Sequence, residues 1–271
     1  MGRVTARRPV VRISADRRTE RPDTLAVEEP LEIRVSGEPL TVTMRTPGDD
    51  FDLVAGFLAA EGVIQTAADL PAMRICTDAD ETGAPTFNVV DVTLATGLEP
   101  PAARAFATTS ACGVCGTASI DLLRRRAPYD LSTDQVRLDP ALLSALPDRL
   151  RDAQRVFEKT GGLHAAGLFD AHGSLLAIRE DVGRHNAVDK IIGWALRAGR
   201  LPLTGHVLMV SGRASFELVQ KAVIAGIPVL AAVSAPSSLA VDLAAEARLT
   251  LVGFLRGTSM NVYSETRRVG P

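Results

Sequence analysis

Apolar positions change rhythm along this chain, and the changes predict its elements. Between Leu31 and Met44 they alternate: Ile33 and Val35, then Leu40, Val42 and Met44, with Gly37-Glu38-Pro39 between them. A period of two marks half-buried strands, so two strands and a turn are predicted. Thr46-Pro47-Gly48-Asp49-Asp50 follows, and then a stripe of Leu53, Val54, Phe57 and Leu58. A hydroxyl three residues before an acid, with proline just inside, predicts a helix start, and Gly62 predicts its stop. Strand pattern returns at Met73–Cys76 and Phe87–Leu94, around the polar loop at Gly83-Ala84-Pro85. Residues 127–150 are punctuated by proline and partly helical, and a soft domain boundary falls there.

The second half has a different rhythm. Leu163–Phe169 and Leu175–Ile178 predict a β-hairpin around Asp170–Ser174, and a helix follows from Gly183 to Ala198. Strands at Val207–Val210, Pro228–Val233 and Leu249–Phe254 then alternate with helices at Ser215–Ala225 and Leu239–Ala247. Strand, helix, strand, helix, strand is a βαβαβ unit, so part of the sheet is expected to be parallel. The fold class is α/β (α+β). Its expected organisation is a flexible basic tail at 1–24, a β-rich N-terminal subdomain at 25–150, and an α/β subdomain at 151–271.

Composition narrows the function classes. The 271 residues are 46% apolar and 23% charged, an ordinary globular balance. With 30 Lys and Arg against 32 Asp and Glu, the net charge of −2 gives no reason to expect nucleic acid or an anionic membrane as partner. Aromatics at 4% argue against base-stacking platforms. The longest apolar stretch, Ala222–Val233, is broken by Gly226 and Pro228, so no membrane span is expected. Arg7-Arg8 is followed by no apolar stretch, which leaves it a solvated basic tail and a cytoplasmic location the default expectation.

Three cysteines in a chain of this length are not a disulfide framework. Cys112 and Cys115 form a C-x-x-C flanked by Gly113 and Gly116, just ahead of Thr117, which can cap a helix carrying Ile120, Leu122 and Leu123. Thiols before a helix N-terminus are favoured as thiolates. Half a zinc site, a disulfide redox pair and a persulfide relay all use such thiolates, and the spacing alone leaves the three open. Cys76, in an apolar strand pattern, is expected to be an inert core residue.

A polar cluster at Arg179-Glu180-Asp181-Val182-Gly183-Arg184-His185-Asn186 adjoins the apolar stripe Val188, Ile191, Ile192 and Ala195. At helical spacing Asp181, His185 and Asp189 share a face. That face is either solvated or a ligand wall, with Arg179, Arg184 and Lys190 as phosphate contacts. His164 follows the pair Gly161-Gly162, where backbone can approach a ligand closely. Ser211-Gly212-Arg213-Ala214-Ser215 and Ser234-Ala235-Pro236-Ser237-Ser238 each join a strand to a helix. Phe254-Leu255-Arg256-Gly257-Thr258-Ser259 follows the third strand. Loops at strand carboxyl ends that lead into helix N-termini can cradle phosphates, so these residues are candidates for a phosphate-rich ligand such as a nucleotide.

Taken in order, these motifs resemble the FdhD family of formate dehydrogenase accessory sulfurtransferases. The resemblance rests on Arg45-Thr-Pro-Gly-Asp-Asp50, Gly56–Gly62, Cys112-Gly-Val-Cys-Gly116 and Thr160-Gly-Gly-Leu-His164. It continues through Arg179–Lys190, Ser211–Glu217, Ser234-Ala-Pro236 and Gly253-Phe-Leu-Arg256. It implies a cytidine deaminase-like mixed sheet and a homodimer. It also implies that a cysteine desulfurase loads sulfur onto the C-x-x-C, with Cys112 as persulfide carrier and Cys115 beside it. The sulfur would pass to the molybdenum of bis(molybdopterin guanine dinucleotide) before that cofactor enters formate dehydrogenase. Phe254–Ser259 would match the cofactor-binding stretch, with Ser211, Gly212, Arg213, Ser234, His164, Arg184 and His185 completing the seat. No structural metal is expected. Zinc deaminases pair H-x-E with P-C-x-x-C, whereas His164-Ala165-Ala166 lacks the acid and follows the cysteines. The competing readings are a non-catalytic chaperone of the molybdenum cofactor and a zinc-dependent, deaminase-like hydrolase.

Overall fold

A computed structural model describes residues 3–79, 85–100 and 128–270 of the chain. Strands β1 (Thr5–Ser14) and β2 (Arg17–Ala26) pair antiparallel along their whole length. This corrects the expectation of a loosely held tail at 1–24. The charges that suggested solvation lie on a ladder with partners across it: Arg8 faces Asp23, and Pro9 faces Pro22, so both missing N–H donors fall on one rung. Val10, Val11, Ile13 and Thr19 add β-branched side chains that favour extended backbone. Ile13 is 74% exposed near the tip.

The first sheet has the order β4-β3-β6-β5. It consists of β3 (Glu29–Val35), β4 (Glu38–Arg45), β5 (Ala72–Ala79) and β6 (Pro85–Thr93). The hairpin around Gly37 and the later strand pair match the alternation read from the sequence, and Gly83 and Ala84 of the expected loop lie outside the described residues. Cys76 is half-buried on β5, the edge strand, and so is not the core residue expected. Helix α1 (Asp50–Ala60) ends before Gly62, whose φ of 73° suits the stop. Its start lies later than expected. Asp49 is the N-cap at φ 54°, without a side-chain cap. Thr46 is engaged elsewhere, because its hydroxyl accepts a hydrogen bond from the Val182 N–H (3.2 Å).

Helices α2 (Pro140–Ala153) and α3 (Arg155–Thr160) lead into a second sheet of order β12-β11-β10-β9-β7-β8. Hairpin β7 (His164–Phe169) and β8 (Leu175–Asp181) is followed by α4 (Arg184–Arg197). Then come β9 (Val207–Val210), α5 (Phe216–Ile224), β10 (Val229–Ala232), α6 (Ser238–Glu246) and β11 (Thr250–Arg256). β10 pairs parallel with both β9 and β11, which is the expected βαβαβ unit. Strand β12 (Ser259–Ser264) adds an antiparallel edge that the sequence reading did not contain.

Both faces of this sheet are covered. Leu208, Val210, Leu230 and Ala232 point to one side, and Val207, Met209, Val229 and Ala231 to the other, where Leu143, Leu146 and Leu150 of α2 pack. The first side is continuous with Leu31, Ile33, Leu53, Val54 and Leu58, so one core runs from the first sheet into the second. Its seam is the crossing of α1 and α4. Glycines allow it: a Cβ on Gly56 would overlap the Asp189 carbonyl oxygen, and one on Gly193 would overlap that of Asp52. No helix among the described residues is long and apolar enough to cross a membrane.

Candidate functional site

Parallel pairing puts the carboxyl ends of β9, β10 and β11 on one edge of the second sheet. Because β7 is antiparallel to β9, its first residue, His164, stands on that same edge, opposite Asp181 at the end of β8. The predicted loops therefore meet. Ser211 Oγ accepts from the Ala165 N–H (2.9 Å), and a Cβ on Gly212 would lie 3.4 Å from His164 Nδ1. The loops after β9 and β10 are stitched by backbone: Ser234 N donates to Gly212 O (3.3 Å), Ala214 N to Ala235 O (3.2 Å), and Phe254 N to Ser234 O (3.2 Å). Ser237 caps α6 by accepting from the Ala240 N–H (3.2 Å).

Beyond this stitched zone the rim opens outward. Arg213, Phe254, Arg256, Gly257, Thr258 and Ser259 are exposed. Phe254 takes φ 52° and Gly257 φ 53°, so the chain turns sharply there, and Arg256 Nε donates to Val233 O (3.2 Å). Leu255 is different. It is 0% exposed and packs in the core beneath the sheet, so its side chain is not a ligand contact; strand alternation sends it to the opposite face from Phe254 and Arg256.

His185 Nε2 stands 3.3 Å from Ser215 Oγ and 3.6 Å from Glu217 Oε2. The His185 side chain, aided by the Ser215 hydroxyl, outweighs partial burial and holds the Glu217 carboxyl at about 2, below its ordinary 4.5. A depressed carboxylate stabilises the fold fully above the unfolded value and loses that contribution as pH falls through the folded one. The stability advantage of the wild type over Glu217→Gln is therefore expected to shrink between pH 5 and pH 2; urea midpoints of both proteins across that range check it. His164 behaves oppositely. Burial first, then the charges of Arg184 and His185, lower its pKa, with Asp181 opposing, so its imidazole is favoured neutral.

Two of the cluster's three cations, Lys190 and Arg179, are held in ion pairs. Asp181 closes β8 and is 0% exposed, and Lys190, 1% exposed, donates to it at 2.7 Å. Asp181 also accepts from the N–H groups of Thr46 (3.2 Å) and Gly183 (2.8 Å) and from Asn186 Nδ2 (3.0 Å). Lys190 donates a second bond to Thr46 O (3.0 Å), and Asn186 one to Met44 O (2.8 Å). Arg179 is held by Asp52 at 2.7 Å and Asp49 at 3.4 Å, and Arg197 by Asp52 at 2.5 Å. Asp189 is buried with Lys221 at 2.6 Å. Lys190 and Arg179 thus fasten the second sheet to the segment entering α1, which corrects their reading as phosphate contacts.

Arg45 does similar work in the first sheet. It is 1% exposed and bonded to Asp50 (3.0 Å), Glu29 (3.3 Å) and Asn88 Oδ1 (3.2 Å). Arg268, which no sequence motif marks, is buried against the carbonyls of Leu131 and Arg248. Cys112, Cys115 and the loop and helix expected around them lie outside the described residues. Among the described residues, no group of three or more His, Cys, Asp or Glu is placed to hold a metal ion.

The class these observations define is a mixed α/β protein whose loops form one rim at the edge of a partly parallel sheet. A profile of the FdhD/NarQ family matches residues 26–270, and the chain belongs to that family. It is similar to the sulfur carrier protein FdhD of Streptomyces avermitilis, 62% identical over 99% of this chain and 97% of that one. It is also similar to the sulfur carrier protein FdhD of Mycobacterium tuberculosis, 58% identical over 99% and 100% of the two chains. A crystal structure of a candidate formate dehydrogenase accessory protein from Desulfotalea psychrophila shares the fold. Its TM-score is 0.73 at 23% identity, covering 99% of this chain and 100% of that one.

Proposed function

We propose that this chain is a sulfur carrier that serves the maturation of formate dehydrogenase. Cys112 takes sulfur from the persulfide of a cysteine desulfurase. Its thiolate attacks the outer sulfur, the donor's S–S bond breaks, a new S–S bond forms at Cys112, and the donor cysteine leaves as thiolate. Cys115, three residues on in the C-x-x-C, tunes or resolves that persulfide. The rim holds the acceptor, the bis(molybdopterin guanine dinucleotide) cofactor of molybdenum, as substrate. The exposed guanidinium groups of Arg213 and Arg256 face its anionic groups, and the glycine and serine loops let backbone N–H groups come close. The observation that carries this reading is the stitched rim from His164 to Phe254, in a chain that also has a C-x-x-C and whose relatives are named sulfur carriers. A homodimer working in the cytoplasm completes the proposal.

Intact-mass measurement after incubation with an active cysteine desulfurase and cysteine tests it. The wild type is expected to gain one sulfur that a reductant removes, and Cys112→Ala to gain none there. No gain on the wild type, with free thiols present, would turn the reading to a chaperone that only shields the cofactor.

A further inference from the structure

Beside the rim lies a recess of about 450 Å³ between the end of α2, the glycine pair before β7 and the start of the loop after β9. Gln154 borders it. This side chain is 4% exposed, yet its Nε2 has no hydrogen-bond partner among the described residues. An amide donor left unmatched in a protein interior is costly, and such groups persist where a ligand or an ion completes them. Two further lining residues offer donors. Arg151 contributes a guanidinium stacked 4.0 Å over the Phe157 ring. Ser211 Oγ already accepts from Ala165 N, which leaves its hydrogen to donate. Gly161 has no neighbour within reach of a Cβ and Gly162 only a carbonyl oxygen at 3.8 Å, so the backbone there is bare toward open space. None of the residues lining the recess is acidic. Of the acids beside its wall, Glu180 is occupied by the N–H groups of Val156 (3.0 Å) and Phe157 (2.7 Å), and Asp181 by Lys190 (2.7 Å).

We propose that this recess binds a phosphate-type oxyanion of the rim's ligand, with Gln154, Arg151 and Ser211 as donors and Phe157 as an apolar floor. The inference rests on the proposed anionic ligand of the rim and extends it to Gln154, Arg151 and Phe157, which no sequence motif singles out. Three donors on one recess, one of them a guanidinium, suit a tetrahedral oxyanion that presents its oxygens in several directions. The volume accommodates a small organic ligand's charged end with part of its body.

Calorimetric titration of the full chain with inorganic pyrophosphate, and separately with acetate, tests it on wild type, Gln154→Leu and Arg151→Ala. Gln154→Leu keeps the volume and removes the unmatched donor, so its thermal midpoint is expected to hold or rise. Its pyrophosphate affinity is expected to fall about tenfold, as is that of Arg151→Ala, with acetate binding weakly to all three. Equal pyrophosphate affinity in wild type and both variants overturns the proposal, as does acetate binding as tightly as pyrophosphate. Persulfide loading of Cys112 in the same variants separates the two readings. Loading at wild-type level with unchanged affinity sinks the recess alone, whereas lost affinity in Gln154→Leu with no loading of any protein sinks the sulfur carrier alone.

Discussion

Replacing Gly56 by alanine is expected to destabilise the protein by about 3 kcal/mol or more, although alanine is the better helix former. Propensity alone predicts a gain of about 1 kcal/mol for Gly→Ala inside a helix. Packing predicts the opposite. The new Cβ meets the Asp189 carbonyl oxygen, which belongs to the backbone of α4 and cannot swing aside as a side chain can. The two helices would have to separate, and the apolar contacts of Leu53, Val54, Val188 and Ile192 along the seam would loosen with them. Gly193→Ala should act alike, because its Cβ meets the Asp52 carbonyl. Thermal unfolding of both variants checks this, with a fall of roughly 6–12 °C expected for a domain of this size. A rise in the midpoint would mean that propensity decides and that the close approach is not maintained.

Lys190→Met is expected to cost about 3–5 kcal/mol, and the double variant Asp181→Asn/Lys190→Met clearly less. The single change strands a carboxylate that is 0% exposed, with three remaining donors but no countercharge. The double change removes both charges and keeps an amide able to bond at the same place. Urea unfolding of wild type, the two single variants and the double variant gives the coupling energy between the partners. The prediction also separates two uses of a cation. Replacing a lysine that contacted phosphate would lower ligand affinity and leave the unfolding midpoint alone, which is the behaviour expected on replacing Arg256, exposed on the rim.

Most of the second sheet was legible because its signals are local. The runs Val207–Val210 and Val229–Ala232, each flanked by small-residue loops, declare buried parallel strands. The rim followed from the same logic, since any loop leaving such a strand arrives at a common edge. Other features are set by distant partners. Thr46 looked like a helix cap, but the Val182 N–H, 136 residues on, claims its hydroxyl. The spacing put Asp181 on a face either solvated or lining a ligand and made Lys190 a candidate phosphate contact, and only the arrival of Thr46 from the first half makes them a buried pair. Helix α3 begins where Glu180 accepts two of its N–H groups, a cap no nearby residue announces. Gln154 carries no motif, because its oddity is the absence of a partner, and only a folded chain displays that.

The crossing of α1 on α4 also sets a schedule for synthesis. Gly193 follows Gly56 by 137 residues. At about 5–20 residues per second, a ribosome takes on the order of ten seconds to make that stretch. During this interval the nascent first half carries Leu53, Val54 and Leu58 on a helix whose covering partner has not yet been translated. Its apolar face is then open to whatever binds emerging chains, and the first sheet acquires its finished core only when the polypeptide is most of the way to its end.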